Sequence, residues 1–132
     1  PNSVIEIEPS KILISDSLKG EIWLYQLDAL GNVAEKTIWA KLESGIAPDG
    51  GCLVEDLVLI ALWDGAAIAV FDKDGTLLNK LVLPVIRPTN CKFDKISSQL
   101  WITSASEGLS KEQMSLYPES GTTLVYDLEL LS

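Results

Sequence analysis

The stretch IAPDGGCLV, residues 46 to 54, holds one carboxylate between residues that control the backbone closely. Pro48 fixes φ and has no N–H group, while Gly50 and Gly51 allow a sharp turn at no steric cost. Asp49 lies between them, directly before an apolar run that favours a buried strand. The sequence therefore singles out Asp49, although a simple β-turn at this point remains an alternative.

Several chemistries are excluded by residue type alone. Histidine is absent, which excludes Ser-His-Asp and Cys-His catalysis and zinc sites built on histidine. Cys52 and Cys91 are too few for a disulfide framework, and we expect them to be buried, reduced thiols. The turn DKDG at residues 72 to 75 is similar to a calcium loop, but Leu83 stands where its glutamate is expected, which favours a hairpin turn.

Length and charge restrict the class of protein. The chain has 132 residues, enough for one domain, and a formal net charge of −9 that disfavours a nucleic-acid partner. Its longest apolar stretch, residues 57 to 63, is too short to cross a bilayer, and its N-terminus lacks a signal-peptide pattern. We therefore expect a cytoplasmic protein with no membrane partner.

Short apolar runs separated by turn dipeptides predict an all-β chain. A helix is expected only in SKEQMSL, where Ser110 and Gln113 can form a capping box and Pro118 ends the turn. The predicted strands are Val4–Ile7, Ile12–Ile14, Ile22–Leu27, Thr37–Ala40, Cys52–Val54, Val58–Ala61, Ala67–Phe71, Leu77–Leu81, Cys91–Phe93, Leu100–Thr103 and Thr123–Asp127.

Three segments repeat the same plan. Each opens with proline and a polar residue, at Pro1, Pro48 and Pro88, and continues with a strand, a turn, a second strand, a turn and a third strand ending in Asp. A spacing of roughly 40 to 50 residues is typical of a four-stranded propeller blade. We interpret residues 1–44, 45–87 and 88–132 as three blades. Three blades do not close a ring, so either a second copy or a missing half of the same chain must complete it.

The same segments resemble a known family over nearly the whole chain. PNSVIEIEPSKILISDS, GIAPDGGCLVEDLVLIALWDGAAIAVFDKDG and VLPVIRPTNCKFDKISSQLWITSASEGLSKEQ resemble the second half of the senescence marker protein 30, gluconolactonase and luciferin-regenerating enzyme family. The resemblance implies half of a six-bladed β-propeller. It also implies one divalent cation in the central channel and hydrolysis of sugar lactones or related esters.

The resemblance assigns roles to individual residues. It implies that Asn2 and Asp49 are metal ligands, with one glutamate and one further asparagine supplied by the half that is not in this sequence. Amide and carboxylate oxygens suit Ca²⁺, Mg²⁺ or Mn²⁺ better than Zn²⁺, and Ca²⁺ is favoured. Asp49 is also the candidate catalytic base.

Three further residues are candidates for substrate binding. Thr89 and Asn90 occupy the matching rim position of the third segment, and Trp63 lies beside the second turn of the middle segment. The alternatives are turn residues for Thr89 and Asn90, and packing between blades for Trp63 together with Trp23 and Trp101. A second function also stays open, that of a non-catalytic propeller fragment that binds a partner through exposed blade faces.

Overall fold

The computed structural model describes residues 2 to 128, in which eleven strands and one short helix are formed. The all-β class and every predicted strand are confirmed; most strands are longer than predicted, Ala67–Phe71 is unchanged, and the last begins at Leu124 rather than Thr123. The elements are β1 (Val4–Glu8), β2 (Lys11–Asp16), β3 (Glu21–Leu27), β4 (Val33–Lys41), β5 (Ala47–Val54), β6 (Leu57–Trp63), β7 (Ala67–Phe71), β8 (Leu77–Val82), β9 (Pro88–Asp94), β10 (Gln99–Ser104), α1 (Lys111–Leu116) and β11 (Leu124–Asp127).

Consecutive strands pair antiparallel into three sheets. The first sheet has the order β1-β2-β3-β4, the second β5-β6-β7-β8, and the third β11-β10-β9. Each sheet is a meander, so its hydrogen bonds join segments that are close in sequence. The sheets follow one another along the chain in the same order as the predicted repeats.

The second sheet is buried on both of its faces. In β6, Val58 and Ile60 face the first sheet, while Leu59 and Ala61 face the third. Every residue of β7 is buried. A strand covered on two sides needs apolar residues at successive positions, which explains the unbroken apolar run in β6.

The first and third sheets each keep one open face in the described structure. Val4, Ile14, Trp23 and Ile38 lie opposite one another across the first sheet, on the side away from the buried Ile5. We call these four residues, with Ile12 and Tyr25, the first open face. The open face of the third sheet, which we call the third open face, consists of Lys92, Trp101 and Val125. These residues are paired across β9, β10 and β11.

The helix α1 begins as the sequence predicts. The Ser110 side chain accepts a hydrogen bond from the Gln113 backbone N–H, and the Gln113 side chain accepts one from the Ser110 N–H, which completes the capping box. Among residues 2 to 128, no helix is long and apolar enough to span a bilayer.

The PDGG segment differs from its prediction in one respect. It lies inside β5 rather than before it, because the strand begins at Ala47. Pro48 pairs with Leu62 but Gly51 pairs with Ile60, so β5 carries one extra residue and forms a bulge.

The glycines of this bulge act through close packing rather than through a sharp turn. Gly50 and Gly51 are not among the positive-φ glycines of the described chain. A Cβ on Gly51 would lie 2.3 Å from the Leu59 carbonyl oxygen, and one on Gly50 would lie 2.3 Å from the Asn90 side chain. The bulge therefore requires residues without a Cβ at these two positions.

Candidate functional site

A cavity of about 360 Å³ brings together three of the predicted site residues. Asn2, which precedes β1, and Asp49, in the bulge of β5, reach it from two different sheets. Trp63, at the end of β6, forms part of its wall. Ser17, Leu18 and Ala47 complete the described lining.

A chain of hydrogen bonds fixes the entry to this cavity. The Asn2 amide nitrogen Nδ2 donates to Ser17 Oγ at 3.3 Å, and Ser17 Oγ donates to the Pro48 carbonyl oxygen at 2.7 Å. The Asn2 backbone N–H also donates to the Ser15 carbonyl at 2.8 Å. Ser17 thus links the segment of Asn2 to the residue that precedes Asp49.

Burial at the bulge raises the pKa of the Asp49 carboxyl above its ordinary value. Hydrogen bonds from the Asn2 side chain and the Gly50 backbone act in the opposite direction, since they stabilise the carboxylate. The net upward shift makes Asp49 a stronger base than an exposed aspartate. Asn2 contacts the same group, so the two side chains form one polar unit.

Trp63 is held by an arginine from the connection before β9. The Arg87 guanidinium carbon lies 4.8 Å from the centre of a Trp63 ring, in cation–π geometry. Arg87 Nε donates to Asp64 Oδ1 at 2.6 Å, and its Nη1 donates to the Glu107 carbonyl at 2.6 Å. These contacts position the indole on one side of the cavity.

Thr89 and Asn90 lie beside this cavity but do not form part of its described wall. Thr89 Oγ1 shares a hydrogen bond of 2.7 Å with Thr103 Oγ1 across β9 and β10. The exposed Asn90 side chain covers Gly50 and accepts a hydrogen bond from the Cys91 N–H at 2.9 Å. A role for both residues in substrate binding stays a prediction.

The donor atoms at the site are of one chemical type. Asn2 and Asp49 offer amide and carboxylate oxygens, which fit a hard cation such as Ca²⁺. Ca²⁺ takes six to eight oxygen ligands, more than these two side chains supply. Within residues 2 to 128, no group of three or more Asp, Glu, Cys or His residues is arranged to hold a metal ion. The donors fit part of a metal site, and the remaining ligands must come from elsewhere.

Sequence reasoning did not single out Ser17, Leu18 or Arg87. Ser17 and Leu18 follow β2 at the place in the first repeat that Trp63 and Asp64 take in the second. An alignment of the turns, rather than of the strand openings, would have pointed to them. The Leu18 side chain is fully exposed. Patterns of apolar residues identify buried positions and therefore did not reveal it.

Comparison with known proteins finds one family model and several relatives that are similar to this chain. Residues 5–106 match the SMP-30/Gluconolactonase/LRE-like region. Regucalcin of Gallus gallus is 32% identical over 111 residues, which are 80% of this chain and 37% of regucalcin. L-arabinolactonase of Azospirillum brasilense is 30% identical over 118 residues, which are 88% of this chain and 39% of that enzyme.

Solved structures share the fold. A structure from Agrobacterium tumefaciens, described as a calcium-binding protein, regucalcin, has a TM-score of 0.83 and 21% identity; the match covers 94% of this chain and 44% of that one. A β-propeller domain is also among the chains of similar fold. The chain spans well under half the length of the curated relatives it matches.

Proposed function

The chain belongs to the SMP-30/gluconolactonase/LRE-like family, and we propose that it supplies half of the active site of a divalent-metal-dependent hydrolase of sugar lactones or related esters. One observation carries the proposal. Asn2 and Asp49, which are far apart in sequence and belong to different sheets, line one cavity together with the aromatic wall of Trp63.

Asn2 and Asp49 would hold the cation through their side-chain oxygens. Ca²⁺ is the preferred ion, ahead of Mg²⁺, Mn²⁺ and Zn²⁺, because both donors are hard oxygens and neither histidine nor cysteine lines the cavity. A bound cation of this kind polarises a lactone carbonyl and lowers the pKa of a coordinated water.

The protein side chains have separate tasks in this proposal. Asp49 is a metal ligand first and the candidate base for the attacking water second, because a bound cation would hold its carboxyl in the charged form. Trp63 and Leu18 give an apolar wall against which the ring of a lactone can lie. Arg87 is a positioning residue, since it acts by fixing the Trp63 indole.

A complete site needs a complete ring. We propose that the three sheets are three blades, residues 1–44, 45–87 and 88–132, of a six-bladed propeller that is completed by a second copy or by a missing half of the same chain. The apolar first open face and the third open face with Trp101 give support, because each leaves large side chains without a neighbouring sheet. In a twofold dimer, two copies of Asn2 and Asp49 would surround one centre.

The proposal is tested with the purified chain and an Asp49→Ala variant. We expect Ca²⁺ to bind in titration calorimetry, and the variant to bind at least about tenfold more weakly, because one of its ligands is lost. Hydrolysis of glucono-δ-lactone should fall in parallel. The control is Asp56→Ala, which removes an equally charged but exposed side chain. Equal calcium affinity in wild type and Asp49→Ala, with no lactone hydrolysis by the wild type, would contradict the proposal.

The open faces also favour a second candidate function, a non-catalytic propeller fragment that binds a partner through those faces. The two functions predict different masses in solution and different metal contents for the protein. Light scattering of a metal-containing dimer would favour the hydrolase, whereas a metal-free monomer without hydrolytic activity would favour the binding protein.

A further inference from the structure

The two cysteines of the chain meet across the boundary between the second and third sheets. Cys52 belongs to β5 and Cys91 to β9, 39 positions further along the chain. Their Sγ atoms lie 3.8 Å apart. Neither residue lines the cavity of Asn2 and Asp49, so the proposed hydrolase leaves this pair without a role.

We propose that Cys52 and Cys91 form a thiol–disulfide pair, a modification site at which a small disulfide oxidant such as glutathione disulfide covalently joins the second sheet to the third. The close approach of two thiols from separate sheets carries the inference, because buried cysteines that merely fill space have no need to face each other. A shift of under 2 Å from this separation would bring the sulfur atoms to the bonding distance of about 2.05 Å.

The two thiols have different surroundings, which assigns them different roles. Cys52 is partly exposed, whereas Cys91 is buried. The hydrogen bond with Cys91 lowers the pKa of the Cys52 thiol, with a smaller contribution from Lys92. The same interaction, together with burial, raises the pKa of Cys91. A partly exposed thiol of lowered pKa next to a buried thiol is the arrangement of an attacking and a resolving cysteine.

The reaction proceeds in two exchanges. The Cys52 thiolate attacks one sulfur of glutathione disulfide, forms a mixed disulfide and releases one glutathione thiolate. The Cys91 sulfur, after giving up its proton, then attacks Cys52 Sγ and releases the second glutathione thiolate. Two protein thiols are oxidised to one disulfide, and one glutathione disulfide is reduced to two glutathione molecules.

The bond would join β5, which carries a cavity-lining residue, to β9, which lies outside the described lining. β5 carries Asp49 three residues before Cys52, and β9 carries Asn90 directly before Cys91. A covalent link here closes a long loop of the unfolded chain, and long loops give the largest stabilisation. Oxidation therefore stabilises the packing of the third sheet on the second.

The experiment equilibrates the full-length native protein in mixtures of glutathione and glutathione disulfide. We expect both free thiols to disappear together as the mixture becomes oxidising, with a Cys52–Cys91 cross-linked peptide in the digest and no covalent dimer. The melting temperature should rise by about 10 °C on oxidation and return to its original value after reduction with dithiothreitol. Thiols that both survive in an oxidising mixture, pair only in denaturant, or link two chains would overturn the proposal.

Two variants test the assigned roles. In Cys91→Ala, Cys52 should stop at a stable mixed disulfide with glutathione. In Cys52→Ser, Cys91 should react with iodoacetamide at least roughly tenfold more slowly than Cys52 does in Cys91→Ala, because Cys91 is buried whereas Cys52 is partly exposed. Equal reactivity of the two thiols contradicts the assignment. The wild-type peptide map does not depend on either variant, so the pairing is testable even if a variant misfolds.

Discussion

The first and second sheets share one plan of four antiparallel strands but have different surroundings. The second sheet packs against neighbours on both faces, whereas the first buries one face and leaves Val4, Trp23 and Ile38 exposed or half-buried on the other. The sequences reflect this difference, because β6 is apolar at successive positions while β1 alternates. The comparison indicates that a sheet of this repeat is suited to packing against a neighbouring sheet on each of its two faces.

The largest expected effect tests this comparison directly. Ile68→Ala removes a side chain that is 0% exposed between the second and third sheets, and should lower the free energy of unfolding by about 3 to 4 kcal/mol. Ile38→Ala removes the same atoms from the first open face, where the side chain is 43% exposed in the single chain, and should cost less than about 1 kcal/mol in a dilute sample that holds no second copy on that face.

Urea unfolding of both variants measures the difference. In a dilute sample, a cost for Ile38→Ala close to that for Ile68→Ala would break the comparison, since the first open face would then be covered without a second copy. Repeating the measurement over a range of protein concentrations separates a second copy from other causes, because a dimer becomes more stable as its concentration rises.

An intermediate effect is expected for glycines of the two sheets. Gly51→Ala places a methyl group against the Leu59 carbonyl oxygen and should cost about 2 to 3 kcal/mol, because backbone atoms must move. Gly31→Ala, in the hairpin between β3 and β4, meets no atom within 4 Å but has a φ of +83°. Its cost should be about 1 kcal/mol, from backbone strain alone.

Thermal unfolding monitored by circular dichroism compares the two glycine variants. If Gly51→Ala were the milder change, the close packing of the bulge on β6 would not be a constraint. A Gly50→Ala variant sharpens the result, since its methyl group meets the Asn90 side chain as far as its Cβ, so rotation of Asn90 alone does not relieve the contact.

The smallest effect concerns the ionisation of Asp49 at the end of the second sheet. Because burial raises its pKa in the folded protein, the fold binds the proton more tightly than the unfolded chain does. The stability due to the protonated carboxyl is present below about pH 4 and is lost as the pH rises through the raised pKa.

Asp49→Asn should therefore slightly raise the urea midpoint at pH 7, and this gain should vanish near pH 3. The exposed Asp56→Asn controls for the removal of one negative charge. A lower midpoint for Asp49→Asn at pH 7 in metal-free buffer would contradict the assigned burial penalty.

Much of the fold could be predicted from the sequence because strand patterning is local. The alternation in β1, the apolar run in β6 and the Ser110 capping box each depend on neighbouring residues alone. The bulge could not be predicted, since the pairing of Pro48 with Leu62 and Gly51 with Ile60 depends on the partner strand. The register of a strand pair is set by both strands, so the sequence of one strand alone does not reveal it.

The repeat predicted only part of the candidate site, because Thr89 at the matching third position lies outside the described cavity wall. Asn2 and Asp49 follow equivalent prolines, so the repeat alone related them. The contact between Arg87 and Trp63 joins two connections with no shared motif. The approach of Cys52 to Cys91 depends on how the second and third sheets pack, and no spacing in the sequence encodes that distance.

The meander order of all three sheets has a consequence for how such a chain can change over time. Since each sheet completes its hydrogen bonds from consecutive strands, no strand of one sheet is borrowed from another in the described structure. A gene of this kind can be duplicated, cut or fused at a sheet boundary without separating two strands that are hydrogen-bonded to each other. Chains built in this way can grow by whole sheets.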